Sequence, residues 1–140
     1  MADITVTATE IRPLEGSLVR PFDAGEASVV GAVVRVAADG DVEQADASAQ
    51  GGVEGPIGII ISGAKVHAAG TIANNERVGV ALWGPVYMGD SASLTPGATY
   101  YVSDTVKRVA DAAGTVKRIL GLALSANILF LSPVDSDPSS

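Results

Sequence analysis

The chain's stock of reactive side chains is one histidine, no cysteine and sixteen acids spread along 140 residues. A metal centre needs three or four ligands, and a nucleophilic triad that relies on histidine would have to use His67, the only one present. His67 therefore reads as an ordinary loop residue. Paired-carboxylate hydrolysis needs only two acids held several ångströms apart, and Asp39 with Asp41, or Asp46 with Asp111, could be imagined in that role. Acids beside turns, however, are expected for backbone reasons alone. The small-residue stretch Ala47-Ser48-Ala49-Gln50-Gly51-Gly52 could cradle a phosphate, but no Lys-Ser or Lys-Thr follows its glycines and no helical pattern begins after it. It reads as a surface loop. No catalytic, cofactor-binding or metal-binding residue is assigned, and the expectation is a protein that is not an enzyme.

Composition points the same way. Hydrophobic residues make up 47% of the chain but aromatics only 4%, so the core must be built from Val, Ile, Leu and Ala in thin, closely spaced layers. A net charge of −7 and a pI near 4.4 argue against nucleic acid, whose binding depends on clustered Lys and Arg. Lys107-Arg108 and Lys117-Arg118 are expected to keep strand ends in water. The longest apolar run, residues 57–61, is far short of the roughly 20 residues a helix needs to cross a bilayer. With 18% charged residues the surface is thinly protected, which favours self-association. The absence of cysteine leaves the compartment open, and the first ten residues carry no basic start or apolar signal region.

The elements that must position any surface are short strands. Residues 4–9 alternate as a half-buried strand, Pro13, Gly16 and Pro21 break anything longer, and residues 18–22 form a further strand. This terminal segment is either an edge strand of its own barrel or an arm that lies on something else. Residues 57–61 are apolar at successive positions, as in a strand buried on both faces. The stretch 62–75 reads as a loop, residues 76–83 as a strand, and Gly84-Pro85 as a turn. Trp83 and Tyr87 flank that turn, where they either cap the core or anchor a subunit contact. Residues 119–124 and 127–131 pair through Ser125-Ala126, and residues 133–140 are expected to be a disordered tail.

Two stretches repeat one pattern. Gly31-Ala32 matches Gly97-Ala98, Val36 matches Val102, Ala45-Asp46-Ala47 matches Ala110-Asp111-Ala112, and Gly58-Ile59-Ile60-Ile61-Ser62 matches Gly121-Leu122-Ala123-Leu124-Ser125. Each copy reads as a strand, a tight polar turn, a returning strand, a small-residue loop and a buried strand led by glycine. Asp39-Gly40 is the hairpin signal of the first copy, of the kind favoured by primed turns. The second has Asp104-Thr105 there, and so a different turn. The fold class is all-β: a small β-barrel or sandwich of antiparallel strands with two related hairpin units and an extended N-terminal arm. Its divisions are residues 1–22 as arm or edge strand, 23–132 as the β domain, and 133–140 as the tail.

The run Gly97-Ala98-Thr99-Tyr100-Tyr101-Val102-Ser103-Asp104, with Val109-Ala110-Asp111-Ala112-Ala113-Gly114 and Ile119-Leu120-Gly121-Leu122-Ala123-Leu124, resembles the head decoration (capsid cement) proteins of tailed bacteriophages. Gly31-Ala32-Val33-Val34-Arg35-Val36, with Asp39-Gly40 and Ala45-Asp46-Ala47, fits the same pattern, so the resemblance spans about residues 24–131. No catalytic motif comes with that family. The resemblance implies a homotrimer on the outer surface of the phage head, over positions where copies of the major capsid protein meet, made first in the bacterial cytoplasm. It further implies a capsid-binding arm, for which Ile4, Thr5, Val6, Thr7, Ile11 and Leu14 are the candidates, with Trp83 and Tyr87 as candidate subunit contacts. The chain differs from simple members in its longer 62–75 loop. The rival reading is a receptor- or glycan-binding β module of a phage tail or adhesin, a site type that wants exposed aromatics, of which one Trp, three Tyr and two Phe are the whole supply.

Overall fold

A computed structural model describes residues 3–4, 6–63 and 70–134. It is nearly all β: an antiparallel sheet curled into a half-barrel. The strands are β1 (Arg12–Pro13), β2 (Leu18–Asp23), β3 (Ser28–Val29), β4 (Val33–Val36), β5 (Val42–Gln44), β6 (Ile57–Gly63), β7 (Thr71–Ile72), β8 (Arg77–Tyr87), β9 (Thr99–Val102), β10 (Val109–Ala110), β11 (Ile119–Ala123) and β12 (Ile128–Val134), with single 3₁₀ turns at Ala8–Glu10 and Gln50–Gly52. The main sheet runs β10-β9-β11-β12-β8-β6-β4-β5, with β1 and β2 also pairing to β8, while β3 and β7 form a separate two-stranded piece.

The sheet order is a palindrome of two related units. In the first, β4 lies between β5 and β6, and β6 pairs on to β8; in the second, β9 lies between β10 and β11, and β11 pairs on to β12. Equivalence extends to single hydrogen bonds. The Gly31 N–H donates to the Ile60 carbonyl at 2.7 Å and the Gly97 N–H to the Ala123 carbonyl at 2.8 Å, while Ile60 and Ala123 return bonds to Ala32 and Ala98 at 3.0 Å. The glycines that lead the buried strands have a shared reason. A Cβ on Gly58 would stand 2.5 Å from the Ala81 carbonyl oxygen, and one on Gly121 would stand 2.0 Å from that of Phe130. Both distances are too short for any side chain, so neighbouring strands approach this closely only over glycine.

The hairpin turns differ, as their residues require. In the first unit the Gly40 N–H donates to Ala37 at 2.9 Å, the Ala37 N–H donates to Asp41 at 2.8 Å, and positive φ in this turn falls on Gly40 alone, at +88°. This is a three-residue loop ending in a left-handed glycine rather than the primed two-residue turn that Asp-Gly suggests, which would need positive φ at Asp39 as well. In the second unit the left-handed position is taken by Lys107, at +64°.

Alternation along the strands sorts side chains into two cores. Val33, Ile59 and Ala81 join Tyr100, Ala123, Leu129 and Leu131 in a central cluster between the units, whereas Val34, Ile60 and Val80 point the other way and are covered by Ile72 of β7 with Val29, Phe22 and Ala24. That explains the unbroken apolar run of β6: both of its faces are shut away. Burying these side chains stabilises the fold by roughly 1.5–3 kcal/mol each for Val, Leu and Ile, before chain entropy is counted.

β8 is the strand common to both halves. Its first part pairs with β2 and β6 and its second with β1 and β12. Gly84-Pro85 is accordingly not a turn but a kink inside an eleven-residue strand, with Gly84 at φ +102°. Proline is tolerated there because on one edge β8 has no strand partner between Trp83, where β2 ends, and Val86, where β1 begins, while pairing with β12 continues on the other. The curled ends are stitched together beyond β5: Ala45 donates to Val33 at 2.9 Å, Val33 to Lys107 at 3.0 Å, Lys107 to Ala45 at 2.7 Å, and Ala47 to Ser103 at 2.8 Å.

Several expectations are corrected. Of the two readings of the N-terminal segment, arm or edge strand, its described residues take the one that lies on the body: Asp3 bridges to Ala110, the Ile4 N–H donates to the Val109 carbonyl at 2.9 Å, and β1 and β2 lie along β8. The alternation at residues 4–9 gives no strand, since a 3₁₀ turn takes Ala8–Glu10. Thr71–Ile72 is a strand within the expected loop, because β3 offers it a partner. Pro133 and Val134 continue β12, so the strand reaches two residues into the expected tail, and residues 135–140 lie outside the described residues. Arg118 does not hold a strand end in water; it is buried, with Nη2 donating to the Gly55 carbonyl at 3.0 Å across the two units.

The close approaches over glycine give a direct test. Gly58→Ala and Gly121→Ala are each expected to destabilise the fold by about 2 kcal/mol or more in denaturant unfolding. Gly51→Ala, where a Cβ meets nothing within 4 Å, should change stability by less than about 0.5 kcal/mol. Equal effects at all three positions would refute the packing argument.

Candidate functional site

Of the acids weighed for chemistry, Asp39 and Asp46 serve the backbone. Asp39 accepts the Asp41 N–H at 3.0 Å, and Asp46 accepts the Ser48 N–H at 3.1 Å and its hydroxyl. These are the turn-closing bonds that aspartate makes for conformational reasons, while Asp104 ties two loop segments by accepting the Thr115 N–H at 2.8 Å and its hydroxyl at 3.0 Å. Among the described residues no group of three or more His, Cys, Asp and Glu is placed to hold a metal ion. His67 lies outside the described residues.

The arm candidates belong to the body. Ile4 and Ile11 are buried in the central core and Val6 packs against it, while Thr7 and Leu14 are half-buried. Thr5 lies outside the described residues. The Leu14 N–H donates to the Pro85 carbonyl at 3.1 Å, which holds the segment against the kink of β8. Ile4, Val6 and Ala8 roof a cavity of about 260 Å³ whose other walls are residues 29–32 and 107–109. Lifting this segment would uncover Ile4 and Ile11, so the contact surface must be sought elsewhere.

Exposed apolar side chains gather on the outer face around the second half of β8. Leu18 of β2 pairs with Trp83, Phe130 of β12 lies opposite Pro85, and Leu122 of β11 lies opposite Phe130. The Trp83 and Phe130 rings meet edge to face, with centroids 4.9 Å apart, a favoured aromatic geometry. Trp83 is still 49% exposed, and Leu18 (44%), Leu122 (48%) and Leu124 (57%) extend the apolar surface around it. Scattered exposed leucines are ordinary, but residues registered side by side on one sheet face form a patch.

Tyr87 borders the patch. The Arg12 guanidinium lies over its ring, 4.9 Å from the centroid, and its hydroxyl donates to the Asp90 carboxylate. The hydrogen bond to Asp90, then burial and the negative charges of Asp90 and Glu10, raise the Tyr87 hydroxyl above the ordinary tyrosine value, since ionisation would break the bond and add a like charge. Of the two candidate contacts, Trp83 therefore presents its ring to solvent, whereas Tyr87 is half-buried and tied to Arg12 and Asp90. Leu18, Leu122, Leu124 and Phe130 were not singled out by sequence. The available signal was the alternation of Leu120, Leu122 and Leu124, which predicts one shared face; the bulge between Ile119 and Gly121 instead puts Leu120 in the central core and leaves Leu122 and Leu124 outside.

No protein-family model matches this chain, and no curated protein matches it.

The placement of the N-terminal segment is testable. Ile11→Ala should lower stability by about 2–4 kcal/mol in urea unfolding of the isolated protein. A side chain on a free arm would leave the unfolding midpoint unchanged.

Proposed function

We propose that this protein is a capsid decoration protein: a homotrimer that binds the outer surface of the mature head of a tailed bacteriophage and stabilises the shell against the pressure of packed DNA. The observation that carries the reading is an antiparallel two-unit β half-barrel that collects exposed apolar side chains on one sheet face, a build suited to adhesion. The resemblance carried by residues 24–131 supplies the partner, the major capsid protein. The mechanism is mass action. A protein that binds only the expanded lattice stabilises that lattice as a ligand stabilises a native state, and a trimer multiplies modest contacts through effective concentration. Because Ile4 and Ile11 are committed to the core, shell contact falls to surface residues rather than to a free N-terminal arm.

A second reading, a receptor- or glycan-binding β module, is favoured by one feature. Trp83 is half-exposed beside Phe130, and exposed aromatic faces are the usual platform for sugar rings.

Cosedimentation separates the two. Mature heads lacking this protein should pellet it stoichiometrically, and the decorated heads should release DNA at a higher temperature than bare ones. Failure to pellet at micromolar concentration would overturn the decoration reading. Binding to a glycan array that is lost in Trp83→Ala would put the second in its place.

A further inference from the structure

The register of the two units identifies equivalent residues. Gly58 pairs with Val34 and Gly121 with Tyr100; one residue on, Ile59 pairs with Val33 and Ala81, and Leu122 pairs with Thr99 and Phe130. The clash positions agree, since Gly58 faces the carbonyl of Ala81 and Gly121 that of Phe130. Val33, Ile59 and Ala81 in the first unit therefore stand where Thr99, Leu122 and Phe130 stand in the second.

Their fates differ. Val33, Ile59 and Ala81 are fully buried, sharing the central core with Tyr100, Ala123 and Leu129 of the second unit. Thr99, Leu122 and Phe130 share no core with another layer, and Leu122 is 48% exposed. In order through the molecule come the β3-β7 piece, the first unit and the second unit, and at the second unit's outer face the stacking stops. We infer that this face, formed by Thr99, Leu122 and Phe130 and extended by Trp83, Leu18 and Leu124, is where copies of this chain meet.

Three observations favour another copy as the occupant. First, the equivalent face of the first unit is closed by an apolar β-sheet face, so the geometry accepts a sheet. In a second molecule the Tyr100 face is already in its central core and the Val34 face is already under β7, which leaves its own Leu122 face as the sheet face on offer. Second, the six residues carry no charge in a chain of net charge −7, so two copies approach here without bringing like charges together. Third, four side chains of roughly 150–250 Å² that are about half-exposed leave on the order of 400 Å² of apolar surface. A standard interface buries about 800 Å² on each partner. The face thus supplies the apolar centre, and its polar margin, where Arg12 lies over Tyr87, supplies a rim.

A face that meets its own copy relates two chains by a two-fold axis, so the inference goes beyond the three-fold contact of the proposed function and does not rest on the capsid. Its test is the mass of the full chain by light scattering at micromolar concentration, for wild type and for Leu122→Glu and Leu124→Lys, with thermal unfolding by circular dichroism run alongside. Wild type should have an even multiple of the 14.1 kDa chain mass, and each folded variant should have half the wild-type mass. Wild type at an odd multiple of 14.1 kDa, or a folded variant that keeps the wild-type mass, would overturn the inference; should one variant fail to fold, the other decides. Cosedimentation with heads separates the two claims. An even oligomer that does not pellet sinks the capsid reading alone, and a monomer or trimer that pellets sinks this one alone.

Discussion

The one-residue slip of β8 between Ala81 and Trp83, just before the kink at Gly84, is the constraint on which the rest of this structure depends. Before it, Ala81 points into the central core; after it, Val86 and Met88 do. An odd and an even position share one side, so the strand has slipped by one residue relative to its own alternation. Two residues past the bulge the backbone needs a residue without a side chain, because a Cβ at Gly84, already at φ +102°, would stand 2.6 Å from the Ser17 Cα. The slip lets one strand pair with β2 and β6 at one end and with β1 and β12 at the other. It also turns Trp83, beside the kink, outward to meet Phe130.

From that slip follows the unequal treatment of two similar units. Each unit offers two apolar faces, and two stacked units can bury only one face of each against the other. The first unit's spare face is covered by the β3-β7 piece, which the chain builds from residues on either side of β4 and β6. The second unit has only the short link of residues 124–127 between β11 and β12, too little chain to make such a cover. Exposure of Leu122, Leu124 and Trp83 is thus a consequence of where the chain is long and where it is short. The adhesive role proposed for the protein uses that leftover surface.

The N-terminal segment shows the same logic from the other side. Its sequence, with Ile4, Ile11 and Leu14 separated by polar and proline positions, suits an arm and an edge element equally well. Its side chains go to the central core because the curled sheet leaves an opening beside Val109 and Ala110 that Ile4 and Ile11 fill. Backbone bonds from Ile4 and Leu14 then hold it in place.

Local chemistry was enough to read the all-β class, the two related units, the doubly buried β6 and the hairpin pairing of β11 with β12, because strand periodicity, glycine at close approaches and polar turns are properties of neighbouring residues. The same local reading placed a turn at Gly84-Pro85 and Arg118 in water. Both errors arise because a kinked strand and a turn share one dipeptide, and because burial of Arg118 depends on Gly55, which is distant in sequence. Sequence also singled out Trp83, but not the leucines and Phe130 that make a surface with it. Alternation puts Leu120, Leu122 and Leu124 on one face, but the bulge of β11 between Ile119 and Gly121 sends Leu120 into the central core and leaves Leu122 and Leu124 outside.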